Sequence, residues 1–189
     1  EALEARATRA GVTAARIDAA TPNTDLVIVD RTGVLADLYA IADVAYVGGG
    51  FHDAVMEATS GRGVDLVVNN VGGTPNKLFM DTTEEDWRAM AELNLFQAMR
   101  CTQAAARVMI ERKTGGSIIN LCSLTTEVGI PTAVPYGSSK TGLLGTTRAL
   151  AAEWASLGIR VNAIAPGYFR TSMTEVFYQN DSWQHAMKA

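Results

Sequence analysis

Gly116-Ser117-Ile118-Ile119-Asn120-Leu121-Cys122-Ser123, followed after twelve residues by Tyr136-Gly137-Ser138-Ser139-Lys140, is the stretch around which this chain is organised. Its first half is a short apolar run ending in small polar residues, the pattern of a buried parallel strand that delivers Ser123 at its carboxyl end. The second half opens a helical pattern that continues through Leu143, Leu144, Leu150 and Trp154, which puts Tyr136 and Lys140 one turn apart on one face. An ammonium held near a phenol favours the phenolate. A free Tyr titrates near 10, so bringing it to neutrality asks for roughly 4 kcal/mol of differential stabilisation, a task for one fixed cation and a second charged group. A lone Tyr-x-x-x-Lys pair arises by chance in many helices, so its meaning depends on its company.

Downstream, Gly158-Ile159-Arg160-Val161-Asn162-Ala163-Ile164-Ala165-Pro166-Gly167 reads as another such strand with a Pro-Gly stop. Upstream, Val64 to Val68 is a strand running into Asn69-Asn70-Val71-Gly72-Gly73, and Thr82-Thr83-Glu84-Glu85 is a capping box opening a helix with Trp87, Met90, Asn94 and Val108. Further back, residues 1–10 are helix-forming, Gly11 is a stop and Thr21-Pro22-Asn23 is a turn. Leu26-Val27-Ile28-Val29 is a strand ending at Asp30-Arg31, residues 35–41 a short helix, and Val44-Ala45-Tyr46-Val47 a strand that runs into Gly48-Gly49-Gly50 and a helix from about His52 to Thr59. Strand and helix alternate throughout, which specifies an α/β fold with a parallel sheet and helices on both faces.

With 189 residues and 48% hydrophobic content, one compact domain spanning 1–189 is the expectation. A net charge of −4 and a pI near 5.2 leave no basic footprint for nucleic acid. Cys101 and Cys122 fall inside a helix and a strand, as buried free thiols of a reducing compartment do. No apolar run reaches membrane-spanning length, so the expectation is a cytoplasmic protein without a membrane partner. His52 and His185 lie far apart without partners, so no metal site is expected. The first residue is not Met and Ser182 to Ala189 is a helical pattern, as in a fragment or processed chain.

Taken in order, Asn69-Asn70-Val71-Gly72, Asn94, Ser123, Tyr136-x-x-x-Lys140 and Pro166-Gly167 resemble the short-chain dehydrogenase/reductase family, with Val71 where that family has Ala. The likeness runs from about Val64 to the C-terminus and implies a Rossmann-like fold whose C-terminal end is truncated before the family's last strand. It implies that Tyr136 is the general acid or base, that Lys140 lowers the Tyr136 pKa and holds the nicotinamide ribose, and that Ser123 bonds the substrate oxygen. Asn94 would hold a water in a proton relay, and its place mid-helix, where Asn is otherwise unfavourable, fits a role. Asn69, Asn70 and Gly72 would face the adenine-ribose side of NAD or NADP, with Pro166, Gly167 and Thr171 near the nicotinamide. The resemblance also implies a small carbonyl or alcohol as substrate. Family habit also implies a homo-oligomer, pairing helices that span about Thr83–Arg112 and Tyr136–Leu157.

The first quarter departs from that pattern. The family opens with a strand and a Thr-Gly-x-x-x-Gly-x-Gly turn, whose glycines let the backbone approach the cofactor pyrophosphate, and residues 1–63 contain no such motif. Residues about 24–60, including Asp30-Arg31-Thr32-Gly33-Val34-Leu35 and Ala42-Asp43-Val44-Ala45-Tyr46-Val47-Gly48-Gly49-Gly50-Phe51-His52, instead resemble the nucleotide-binding half of the 3-deoxy-manno-octulosonic acid transferases. That likeness implies a fusion, 1–60 transferase-like and 64–189 reductase-like, joined between about Ala54 and Val64. Asp43-Val44 precedes Asn69 by the interval at which short-chain reductases carry an adenine-contacting Asp-Val, although Asp30-Arg31 stands too close to it for that family. The Gly48–Gly50 loop is a turn or an anion site. Weak cofactor binding and low activity are therefore expected. A non-catalytic Rossmann-like domain and a cytidine-nucleotide-binding fragment stand as alternatives.

Overall fold

The computed structural model describes Gly61, residues 63–169 and 175–180, and two short strands, β1 (Ala14–Arg16) and β2 (Leu26–Ile28). These two strands pair in parallel, Ala14 opposite Leu26 and Arg16 opposite Ile28. The expected helices at 1–10, 35–41 and 52–59, the strand at 44–47, the Gly48–Gly50 loop, Thr171 and the C-terminal helical pattern lie outside the described residues.

The core of the described part is a parallel three-stranded sheet in the order β3 (Leu66–Asn69), β4 (Gly116–Leu121), β5 (Ile159–Ile164). In register, Val67 stands beside Ile118 and Ile118 beside Val161, while Asn69 stands beside Asn120 and Asn120 beside Ala163. β3 begins later than the apolar run suggests, because Asp65 is joined to the ladder only through its carbonyl, which accepts from Ser117 N at 2.8 Å.

Between β3 and β4 runs one long helical rod made of α1 (Glu84–Ala91), a π turn (Glu92–Phe96) and α2 (Gln97–Arg112). α3 (Val134–Trp154) connects β4 to β5, and the short α4 (Glu175–Tyr178) follows. The strand order advances without reversal, and crossovers between parallel strands are right-handed, so both rods stand on one face of the sheet. Under them, Val67, Ile118, Ile159 and Val161 pack against Cys101, Ala105, Ala106 and Met109 of α2 and Trp154 of α3. Full burial of each large side chain contributes about 1.5–3 kcal/mol. On the opposite face Arg160, Asn162 and Ile164 of β5 are exposed, so among the described residues the expected second helical layer does not cover that strand.

Local chemistry sets where these elements start and stop. Thr83 caps α1: its hydroxyl accepts from Asp86 N at 3.2 Å and its N–H donates to the Asp86 carboxylate at 2.9 Å. The box thus closes on Asp86, one residue beyond the acidic pair read in sequence. α3 carries Pro135 in its first turn, where the missing N–H costs nothing.

β4 and β5 are aligned at their amino ends by two glycines in the left-handed region, Gly115 (φ +69°) and Gly158 (φ +73°). Gly158 O accepts from Gly116 N at 3.2 Å, and a Cβ on Gly115 would lie 2.7 Å from that same oxygen. Gly115→Ala therefore meets both backbone strain and a backbone clash, and is expected to lower stability in urea unfolding by about 2 kcal/mol or more. Gly129→Ala, at a position with open space around it, is expected to stay within about 0.5 kcal/mol.

Candidate active site

Ser123, Tyr136, Lys140, Asn94, Gly72 and Pro166 come from five different segments, and the fold gathers them at the carboxyl ends of the three strands. Parallel sheets present ligand sites at this end. Ser123 follows β4 by two residues in extended conformation, and its Oγ accepts from Thr125 N at 3.2 Å to cap the turn Leu124–Thr126. That turn is tied to the end of β5, with Cys122 N donating to Ile164 O at 2.8 Å and Leu124 N to Pro166 O at 2.9 Å.

Tyr136 is half-buried at the start of α3. Burial pushes its phenol above the ordinary value of 10, and the influence of the Ser123 side chain pulls back only in part. Here the structure corrects the expectation that Lys140 lowers the Tyr136 pKa. The Lys140 ammonium lies 5.9 Å from the centre of the Tyr136 ring, and its hydrogen bond, 2.7 Å long, goes to Leu121 O. With 3% of its surface exposed, Lys140 is itself desolvated, which lowers its pKa to about 8.

Asn94 sits in the π turn, not in regular helix, and is 1% exposed. Its Oδ1 accepts from Gly73 N at 3.0 Å, and its Nδ2 donates to Gly73 O and to Met90 O, each at 3.1 Å. The side chain thus clips the loop after β3 onto the helical rod. A Cβ on Gly72 would lie 2.7 Å from Asn94 Oδ1 and 3.0 Å from Lys140 Nζ, so glycine keeps open a polar slot between them.

The remaining sequence candidates divide. Asn69 is buried below the site, donating to Thr102 Oγ1 at 2.9 Å and Asn120 Oδ1 at 2.7 Å, which leaves its amide protons engaged inside the protein. Asn70 lines a shallow pocket with Val71, Leu93 and Gln97. Pro166 is half-buried and Gly167 exposed at the end of β5, and Thr171 lies outside the described residues. Sequence reading passed over Gly73, Asn120 and Thr147. Asn120 in mid-strand among apolar neighbours was the available signal. Both cysteines are buried free thiols. Among the described residues no cluster of metal-ligating side chains forms, and no helix is long and apolar enough to cross a membrane.

The sequence model of the short chain dehydrogenase family matches residues 42–182, and the chain belongs to that family. It is 35% identical over 156 residues to the 3-oxoacyl-[acyl-carrier-protein] reductase FabG of Chlamydia pneumoniae, covering 82% of this chain and 62% of the relative. Among solved structures, a short-chain alcohol dehydrogenase from Sinorhizobium meliloti 1021 superposes with a TM-score of 0.68 at 53% identity, covering 73% of this chain and 54% of that one. A gluconate 5-dehydrogenase from Burkholderia cenocepacia J2315, solved with NADP and tartrate, gives 0.64 at 34% identity, with 70% and 52% covered. The chain spans about half the length of the relatives it matches. The family match begins inside the stretch that resembles the transferases, and it takes in Asp43-Val44 and Gly48–Gly50. The likeness to the Chlamydia relative also covers more residues than 64–189 holds, so it extends upstream of the expected joint.

Burial of Lys140 makes stability depend on pH. Its folded pKa of about 8 lies below the ordinary 10.5, so the unfolded chain holds the proton more tightly. The cost is therefore fully present below pH 8 and is relieved as pH rises toward 10.5. Comparing urea unfolding of the wild type with Lys140→Met, which has nothing to titrate, the wild type is expected to gain roughly 2–3 kcal/mol relative to the variant between pH 7 and pH 10. Parallel pH profiles for the two proteins contradict the burial assigned to Lys140.

Proposed function

We propose that this chain is an NAD(P)-dependent oxidoreductase that interconverts a small carbonyl compound and its alcohol, with a weakly held cofactor. The observation that carries the reading is the buried Lys140 ammonium 5.9 Å from the centre of the Tyr136 ring, with Ser123 at the neighbouring strand end, in a chain of this family. The relatives named above differ in what their names say they act on, a 3-oxoacyl group or gluconate, so the reading stops at the carbonyl/alcohol class.

The slot at Gly72 is where the residues fit a nicotinamide nucleotide, since a side chain there would fill the space between Asn94 and Lys140. Lys140 and Tyr136 would hold the nicotinamide ribose, Asn70 and Gly72 would face the adenine-ribose side, and Pro166, Gly167 and Thr171 would lie along the nicotinamide. Asn69 would act from below, by fixing the end of β3. When bound, the cofactor supplies or accepts the hydride. Ser123 orients the substrate oxygen by hydrogen bond. Tyr136 then gives its phenolic proton to that oxygen in reduction and takes it back in oxidation. The upward shift of the Tyr136 pKa keeps the phenol protonated at neutral pH, the form that reduction uses. With both Asn94 amide protons engaged, a relay water at Asn94 would be held through an oxygen atom.

Two further proposals belong with this reading. The fusion interpretation contracts to the residues before about 35, because the likeness to the Chlamydia reductase, over 156 residues and 82% of this chain, begins there or earlier. Association into a homo-oligomer through the α1–α2 rod and α3 is supported by exposed Phe96 in the π turn, Ile110 on α2 and Val134 on α3, and a cytoplasmic setting is proposed with it.

Tyr136→Phe keeps the volume and removes the proton, so turnover is expected to fall by roughly two to four powers of ten while the fold survives. A folded Tyr136→Phe variant with full turnover removes Tyr136 from the chemistry. The missing glycine-rich turn sets the cofactor affinity. Each lost charge-assisted hydrogen bond to the pyrophosphate is worth about 1.5–3 kcal/mol, and losing two weakens binding by roughly 10² to 10⁴. Fluorescence titration with NADH and NADPH is therefore expected to give dissociation constants above about 1 mM. A low-micromolar constant means another segment replaces the turn.

A further inference from the structure

Beneath the site runs a chain of buried polar side chains that the chemistry does not use. Thr102 on α2, Asn69 on β3, Asn120 on β4 and Thr147 on α3 are each no more than 9% exposed. They are joined end to end. Asn69 donates to Thr102 and Asn120, Asn120 Nδ2 donates to Thr147 Oγ1 at 2.8 Å, and Thr147 Oγ1 donates to Leu143 O at 2.8 Å. A buried hydrogen-bonded network of this kind gives less cohesion than directional register, because each member is costly in any other arrangement.

The register concerned is that of α3 on β4. Asn120 precedes Leu121, whose carbonyl takes the Lys140 ammonium at 2.7 Å. Thr147 follows Lys140 by seven residues, two helical turns or about 10.5 Å along the axis. Adjacent strand residues thus hold the helix at two points, through Lys140 and through Thr147. One contact alone leaves α3 free to pivot about it. Two fix both its rotation and its height on the strand.

We propose that Asn120 and Thr147 are positioning residues for Lys140, their hydrogen bond seating α3 so that the Lys140 ammonium rests on Leu121 O below the Tyr136 ring. The consequence for turnover rests on the oxidoreductase reading, whereas the seating of Lys140 does not.

The test follows the Lys140 ammonium directly by ¹⁵N NMR titration of lysine side chains, with its signal identified by its loss in Lys140→Met. Thr147→Val keeps the shape and removes the acceptor, and Thr147→Ser keeps the hydroxyl. Thr146→Val is the control, because the Thr146 hydroxyl bonds Gly142 O within the helix at 3.0 Å. Thr147→Val is expected to move the Lys140 midpoint by about one pH unit, with Thr147→Ser and Thr146→Val unmoved to within about 0.2. If Thr147→Val does not fold, Thr147→Cys keeps the volume, offers a weaker acceptor and is expected to move the midpoint by a smaller amount in the same direction. In turnover, Thr147→Val is expected to lower kcat about tenfold at unchanged KM, restored by Thr147→Ser. An unmoved Lys140 midpoint in a folded Thr147→Val or Thr147→Cys protein overturns the proposal, as does an equal shift in Thr146→Val. A shifted midpoint in a protein without turnover supports the seating and counts against the oxidoreductase reading. Turnover with an unmoved midpoint does the reverse.

Discussion

The ammonium of Lys140, enclosed in the protein and bonded to the carbonyl of Leu121, is the constraint on which the rest of the site depends. Moving a charge out of water is costly unless its donors are met, and a lysine that can leave for solvent will do so. Keeping it inside requires a helix seated firmly on the strand that supplies the carbonyl. α3 is so seated: Trp154 packs into the core at its far end, Thr147 meets Asn120 in the middle, and Lys140 meets Leu121 near its start. The same enclosure explains Gly72, since any side chain there would press on Lys140 and Asn94 together. It also explains why Tyr136 keeps its proton, because the space that strips water from the lysine strips it from the phenol.

Much of this was legible in the sequence, and the reasons are local. Ser123 was placed by the end of an apolar run, and Tyr136 and Lys140 by helical spacing, signals that need only a few neighbouring residues. Both cysteines were read as buried from the elements they occupy, and they are. What escaped depends on contacts between distant residues. Asn94 looked like a misfit in a helix. Its partner Gly73 lies 21 residues away, and the π turn that brings the two together has no short-range signature. Spacing of i and i+4 correctly put Lys140 near Tyr136, yet it could not tell that the ammonium would turn to Leu121 O or that burial would outweigh its charge. Strand β1, Ala14-Ala15-Arg16, has no β-branched or aromatic residue to announce it and exists by pairing with β2.

The proposed chemistry divides between two halves of unequal clarity. The groups that meet the substrate oxygen stand on α3 and at the end of β4, braced by β5 through Pro166. The groups that would meet the cofactor pyrophosphate belong, in the family, to a glycine-rich turn that residues 1–63 do not contain. Family likeness from residue 42 onward reaches the Gly48–Gly50 loop and Asp43-Val44 but not that turn. A proton-transfer set built around a buried lysine is what these residues form, and a weak grip on the dinucleotide is the proposal joined to it.

That combination is tested most directly by isotope transfer under conditions where weak binding does not limit the reaction. NADH and NADPH carrying deuterium at the transferable position of the nicotinamide would be supplied near saturation, with a panel of aldehydes, ketones and 3-oxo esters, and the alcohol products analysed by mass spectrometry. The account predicts deuterated alcohol from the wild-type chain with at least one carbonyl compound, and its near absence with Tyr136→Phe. A folded wild-type chain that transfers no deuterium from either cofactor, or that transfers it equally well without the Tyr136 hydroxyl, would contradict it.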